Sequence, residues 1–199
     1  MPVPTIYYIR HGETEWNALG RLQGAQDVPL NAKGVQQAGR AGAILADLLA
    51  RDRRDATSVA FVSSPLGRAR TTMELVRGVL KLPPGDYAID DRLCEIGYGA
   101  WEGLTLEEAE ARDGALYARR LADKWTVAAP GGESYAEVQR RVSDWFAEVA
   151  SDTVAVAHGG TARTLMVALG FETAQSAADL LIEQGVVYVF SDGGLAKYS

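Results

Sequence analysis

The sequence predicts an α/β protein, a three-layer α/β/α sandwich on a mainly parallel sheet, and three observations carry that prediction. Short runs rich in β-branched and aromatic residues alternate with longer stretches of helical periodicity. Several runs are apolar throughout, as strands covered on both faces must be. No linker or shift of composition divides the chain, so residues 1–199 are expected to form one domain.

Residues 5–9, T-I-Y-Y-I, make the first buried strand, which stops at the turn Arg10-His11-Gly12. After a polar, glycine-containing stretch, Asn31 can cap a helix to about Arg51, with Val35, Ala38, Ile44, Leu45, Leu48 and Leu49 at near-helical spacing. Residues 58–63 supply a second strand. Pro65 sits where the next helix can start, and Met73, Val76, Val79 and Leu80 form its stripe. Pro83-Pro84-Gly85 punctuates the chain before a weak third strand at Tyr87-Ala88-Ile89. Residues 94–132 are irregular and are expected to be an insertion covering the site, not a second domain. Thr105 with Glu108, and Ser134 with Glu137, match the capping box. The second box opens a helix whose Val138, Val142, Trp145, Phe146 and Val149 share a face. Residues 153–157, T-V-A-V-A, form another buried strand ending at His158-Gly159-Gly160. A helix through residues 164–169 and a last strand at 185–190 complete the order.

The formal net charge of -6 argues against nucleic acid as a partner, because phosphate-backbone binding needs a basic footprint. A few converging arginines could still hold a small-molecule phosphate ester. The single cysteine, Cys94, excludes an intrachain disulfide and suits a reduced, cytoplasmic setting, with the thiol as packing. The N-terminal M-P-V-P-T-I-Y-Y-I-R-H-G-E has no basic segment before its apolar run and no small-residue cleavage pattern, so a signal peptide is not expected. No run of apolar residues is long enough to span a membrane, and no membrane partner is expected. A homodimer is compatible with the sequence. With two histidines and one cysteine, neither a metal nor another cofactor is expected.

Those two histidines, His11 and His158, each follow a strand-like run and each begin H-G-x-T. Ligands of open α/β sheets bind beyond the carboxyl ends of the strands, so both imidazoles are placed where chemistry usually occurs. One strand-end histidine alone is better read as a satisfied polar residue; two in matched positions, with none elsewhere, reverse that reading. Glycine after each permits close backbone approach to a ligand, and the helix after His158 would aim amides at an anion. Arg10 offers a guanidinium fork for phosphate or carboxylate and favours a neutral imidazole beside it. Arg68, opening the helix after S-S-P-L-G, could converge on the same point or be solvated, as Arg70 and Arg77 are expected to be.

These motifs carry a family resemblance. R-H-G-E-T-E-W-N at 10–17 is followed in order by R-L-Q-G-A-Q-D-V-P-L-N-A-K-G-V-Q-Q-A, S-S-P-L-G-R-A-R-T-T, L-C-E-I-G-Y-G-A-W-E-G, P-G-G-E-S and V-A-H-G-G. Together these blocks resemble the histidine phosphatase superfamily, the phosphoglycerate mutase-like group, from residue 10 to about 170. The resemblance implies that His11 is a nucleophile that becomes a phosphohistidine, which water hydrolyses. It implies that Arg10, Arg68 and His158 hold the phosphate oxygens, and that Glu95 protonates the leaving alkoxide and then activates water. Asn17 falls where the family often adds a phosphate contact; Gln23, Gly24 and Gly159 lie where the backbone or side chains can touch the substrate. Without the motif, Glu95 would be a surface carboxylate.

Other phosphatase chemistries fail on spacing. Ala100 occupies the place where a C-x5-R loop starting at Cys94 needs arginine. There is no D-x-D, no Gly-Lys pair for a Walker A loop, and Gly97, Gly99 and Gly103 miss G-x-G-x-x-G by one residue. Within the family, E-I-G-Y-G-A-W-E-G resembles the phosphatase branch, whereas mutases usually carry an E-R-H-Y-G-type stretch and are longer here. A cofactor-dependent phosphoglycerate mutase is the alternative. A non-catalytic phosphate-binding module is a third, from which two imidazoles, two arginines and an acid would be superfluous. Tyr98, Trp101, Tyr117 and Trp125 are candidate contacts for the leaving group, with core packing expected of at least two. Sugar phosphates, phosphoglycerates, nucleotide-pathway monoesters and a cobalamin-precursor phosphate all remain as substrates.

Overall fold

In the computed structural model residues 4–199 are described; the first three residues of the segment read above for a signal peptide lie outside the described residues. The strands are β1 (Ile6–Arg10), β2 (Ala60–Ser63), β3 (Ala88–Ile89), β4 (Thr153–Ala157), β5 (Val187–Ser191) and β6 (Gly194–Tyr198). They form one sheet in the order β3-β2-β4-β1-β5-β6. The neighbouring pairs among β1 to β4 are parallel, while β5 and β6 are antiparallel additions. The helices are α1 (Glu15–Ala18), α2 (Ala32–Arg51), α3 (Gly67–Val79), α4 (Leu106–Ala122), α5 (Tyr135–Ala147), α6 (Gly159–Ala168) and α7 (Ala174–Asp179). Among the described residues no helix is long and apolar enough to cross a membrane.

The continuous apolar runs have the expected cause. Alternate residues of β1 and β4 point to opposite faces, and both faces are covered. Ile6, Tyr8, Ala155 and Ala157 pack with Val138, Val142 and Trp145 of α5 and Leu165 of α6. Tyr7, Ile9, Val154 and Val156 pack with Leu45 and Leu48 of α2 and Met73 and Val76 of α3. The sandwich is therefore three layers, as the sequence predicts.

Several local expectations are corrected. Val35 is 44% exposed, because the buried face of α2 runs through Gly34, Ala38, Ala41 and Leu45 instead. Val79, on the stripe expected of α3, is 40% exposed at the end of that helix. Arg77 is not solvated. Its guanidinium lies 4.6 Å from the Phe61 ring centroid, and its Nε donates to the Pro83 carbonyl at 2.8 Å. Helix α3 begins at Gly67, two residues after Pro65, with Leu66 at its N-cap. The chain also adds α1, α7 and the edge strand β6.

Residues 94–132 hold a 3-10 turn (Gly99–Trp101) and α4, which is kinked at Asp113. Trp101, Ala109 and Ala129 make a small core of their own there. The Trp101 indole N–H donates to Asp113 at 2.6 Å, so the kink places an acceptor over the buried indole. Leu22 and Leu104 join this segment to the loop after β1, through Leu22 N to Leu104 O at 2.9 Å.

Candidate active site

Strand register builds the site. Arg10 lies opposite Ala157, so the next residues, His11 and His158, leave the sheet side by side. The His11 amide donates to the Ala157 carbonyl at 2.9 Å, prolonging the ladder by one bond. Ser63 lies opposite Val156, and Ser64 follows with its amide on the Val156 carbonyl at 3.0 Å. Three strand ends thus deliver His11, His158 and Ser64 to one place. The two imidazole centroids are 5.0 Å apart at an interplanar angle of 59°.

His11 Nδ1 is 2.8 Å from the Gly12 carbonyl oxygen. A carbonyl can only accept, so Nδ1 carries the proton and Nε2 keeps the lone pair. Burial, then the Arg10 and Arg68 guanidiniums, hold His11 well below the usual imidazole value, and the ring is neutral at pH 7. His158 is depressed in the same direction by burial, Arg68, His11 and Arg10. Its Nε2 lies 2.7 Å from Ser64 Oγ. The Leu66 amide donates to that same Oγ at 3.4 Å, and the hydroxyl can donate to Nε2 or accept from it, according to the tautomer of His158. The backbone of His158 is pinned by Tyr8, whose hydroxyl lies 2.7 Å from the His158 carbonyl and 3.1 Å from its amide.

Five buried side-chain polar atoms lack a hydrogen-bond partner among the described residues, and four belong here: Arg10 Nε, Arg68 Nε, His158 Nδ1 and Gln23 Oε1. Buried polar groups are otherwise almost always paired, so this clustering asks for an explanation. Each arginine is fixed by its other nitrogens. Arg10 Nη1 donates to the Ile182 carbonyl at 2.6 Å, while Arg68 donates to the carbonyls of Gln26 (2.6 Å) and Gly24 (2.8 Å). What remains around His11 is two preorganised donors, Arg10 Nε and Arg68 Nε, with His158 Nδ1 beside them, in a site where burial strengthens the pull on an anion.

Glu95 sits at the start of α6, where its Oε1 accepts from the amides of Ile96 and Gly160, both at 2.9 Å. Its backbone is braced by Arg141, which donates to the carbonyls of Arg92, Cys94 and Glu95. Among the described residues Oε2 has no hydrogen-bond partner.

A cavity of about 190 Å³ joins these groups: Arg10, His11, Arg68 and Glu95 line it, with Asn17, Gln23, Gly24 and Gly159 on its walls. Of the candidate leaving-group contacts only Tyr98 lines this cavity; Trp101 and Tyr117 line a neighbouring cleft, and Trp125 lines neither and stacks on Tyr135 at 5.4 Å between centroids. His158 is wholly buried behind His11, and its neighbour Gly159 forms the wall. Asn17 uses its amide oxygen in the capping box of α1 and as acceptor for Gln184 at 3.2 Å. Its Nδ2 is the end left for a ligand.

Arg163, Tyr98 and Arg21 also line the cavity. Arg163 went unremarked in the sequence, although its position one helical turn after Gly159 puts both on one face of α6. It is anchored through Nε to the Leu180 carbonyl (2.9 Å) and through Nη1 to the Tyr135 hydroxyl (3.1 Å). No sequence signal marks Ser64 as the partner of His158; the register of two non-adjacent segments is what brings them together.

Comparison with known proteins finds relatives of this chain. Residues 6–191 match the family described as "Histidine phosphatase superfamily (branch 1)". A bifunctional protein of Mycobacterium tuberculosis is 42% identical over 137 residues, covering 69% of this chain but only 35% of that protein, so the chain spans about a third of that relative's length. A 2,3-bisphosphoglycerate-dependent phosphoglycerate mutase of Beijerinckia indica is 28% identical over 93% of this chain and 90% of its own. Among solved structures, a mycobacterial glucosyl-3-phosphoglycerate phosphatase in complex with VO3 superposes with a TM-score of 0.78 at 28% identity, covering 98% of this chain and 96% of that one.

Proposed function

Since this chain belongs to the histidine phosphatase superfamily, we propose that it is a metal-independent phosphate monoester hydrolase working through a phosphohistidine at His11. The observation that carries the reading is the cluster of unpartnered buried nitrogens, Arg10 Nε, Arg68 Nε and His158 Nδ1, around a neutral imidazole. Such a set fits the oxygens of a phosphoryl group, whose transfer depends on positioning and charge stabilisation.

His11 Nε2 attacks phosphorus, forming the N–P bond as the ester P–O bond breaks. The two guanidiniums and the His158 Nδ1–H take up the charge spread over the three phosphoryl oxygens. Glu95, in its protonated form, gives its proton to the departing alkoxide. As carboxylate it then accepts a proton from the water that attacks the phosphohistidine, which releases phosphate and restores neutral His11. Covalent capture splits one displacement into two easier ones, and the acid–base help is worth typically ~10²–10⁴-fold. Asn17 Nδ2 and the amides at the start of α6 supply further donors.

A phosphoglycerate mutase is the second reading, favoured by the relative from Beijerinckia indica, which matches over most of both chains. A screen of monoesters in chelator, with phosphate release and 3-phosphoglycerate isomerisation measured in parallel, separates the two. Hydrolysis is expected to dominate and to be indifferent to the chelator. Isomerisation outrunning phosphate release would assign the chain to mutase chemistry instead.

A further inference from the structure

A second cleft, of about 240 Å³, opens beside the phosphate cavity and shares three wall residues with it: Leu22, Tyr98 and Arg163. Glu95, the acid of the proposed mechanism, lines the phosphate cavity together with these three residues. We propose that this cleft binds the leaving-group half of the substrate and that this half is a bulky, planar, ring-bearing alcohol. The inference rests on the reading of the adjoining cavity as the phosphoryl site.

The chemistry of the walls argues for it. Trp101 is buried and fixed by its bond to Asp113, with the Tyr117 ring packed on it at 6.1 Å between centroids. Tyr98 stands at the junction of the two spaces. Leu106 and Leu121, at opposite ends of α4, are 50% and 58% exposed, and both line this same cleft. A single exposed leucine needs no explanation; two on the rim of one aromatic-walled cleft, beside a reactive histidine, mark a binding groove. Of the cations on the walls, Arg163 is held at the junction through Nε and Nη1 by the neutral Leu180 carbonyl and Tyr135 hydroxyl, and the other two are engaged within the cleft. The Arg120 guanidinium lies 5.7 Å from the Tyr98 ring centroid and 5.9 Å from that of Tyr135, with Nη1 on the Val127 carbonyl, while Lys124 is ion-paired with Asp179. A small acidic alcohol such as glycerate would reach no further than Arg163 at the junction and would leave the apolar wall wet. A ring system would cover both leucines and stack on the tyrosines.

The test uses esters whose alcohols differ in size but little in acidity, phenyl phosphate and 1-naphthyl phosphate, and the variants Leu106→Asp and Leu121→Asp. Both leucines are half exposed, so their replacement leaves the core intact. Binding of naphthylmethylphosphonate and methylphosphonate is measured alongside by calorimetry. Wild-type protein is expected to prefer the naphthyl ester in kcat/KM by about tenfold or more, and each aspartate variant is expected to lose most of that preference. If His11 is phosphorylated by both esters but the preference is absent and the variants change nothing, the cleft is not the leaving-group site, although the phosphatase reading stands. If no ester phosphorylates His11, yet naphthylmethylphosphonate outbinds methylphosphonate and loses its advantage in the variants, the cleft survives and the phosphatase reading falls. Equal binding of the two phosphonates overturns the inference.

Discussion

Ser64 illustrates what a single hydroxyl can decide. Its Oγ faces His158 Nε2 at 2.7 Å, and the proposed mechanism requires it to donate there, which puts the ring proton on Nδ1, the atom without a hydrogen-bond partner among the described residues. In Ser64→Ala that selection is lost, and kcat is expected to fall by about 10-fold or more, as for loss of one polar contact to the transition state. Ser64→Thr should recover most of it. Nitrogen NMR of His158 reads the cause directly: Nδ1-protonated in the parent, and mixed or Nε2-protonated in the alanine variant. An unchanged tautomer with reduced kcat would show that Ser64 acts through packing alone. For Glu95→Gln, turnover should slow strongly for alkyl esters and weakly for an activated aryl ester, which needs no proton to leave. Equal slowing of both would count against the acid role. At this scale His11, His158 and Arg10 were legible, because their strand-end setting is local in sequence. Arg68 was ambiguous and Ser64 invisible, because burial and partnership are created by chain segments that only the sheet brings together.

At the scale of elements, two glycines show how tightly the site is mounted. A Cβ on Gly160 would collide with Glu95 Oε1 and with Ile96, so the first turn of α6 can grip the carboxylate only without a side chain there. Gly160→Ala should therefore mimic Glu95→Gln, slowing alkyl esters most while leaving vanadate affinity within a few-fold. Loss of vanadate binding to the same extent would mean that the phosphoryl site itself had shifted. A Cβ on Gly34 of α2 would meet the Glu13 backbone where the loop after β1 crosses that helix. Gly34→Ala is expected to cost about 1–3 kcal/mol in urea unfolding, the range for overpacking at a site that cannot relax easily. Most elements followed from periodicity and caps: Asn31, Thr105 and Ser134 all accept the predicted bond from the amide three residues on. The missed strand β6 had a signal of its own. Asp192-Gly193 is the two-residue turn between Ser191 and Gly194, a pair suited to a tight hairpin. The strand after it, G-L-A-K-Y, is only half buried at the sheet edge and so lacks the apolar run that betrays central strands. The expected solvation of Arg77 failed for a different reason, since stacking on Phe61 needs the neighbouring strand to be known.

For the molecule as a whole, the two buried histidines tie stability to pH. Each is neutral when folded and has an ordinary value of 6.5 when unfolded. As pH falls below that value the unfolded chain takes up protons that the folded one refuses. Stability is therefore full above pH 6.5 and declines below it, by up to about 1.4 kcal/mol per pH unit for each histidine. Urea unfolding at pH 7.5 and 5.5 should show this loss, and His11→Asn with His158→Asn should flatten it. A parent protein with equal stability at both values would mean that the imidazoles accept protons in place. The three layers were predictable because both faces of the sheet are written in the strands, whereas the cleft beside the site depends on a kinked helix packing against a distant loop.

The most direct test of the chemistry is to quench turnover rapidly and locate the covalent phosphate by phosphorus NMR and peptide mass spectrometry. An acid-labile, alkali-stable phosphoramidate on Nε2 of His11 is expected, absent in His11→Ala and formed more slowly in Glu95→Gln with alkyl esters. Steady phosphate release with no labelled protein, or label on His158 instead, would contradict the mechanism.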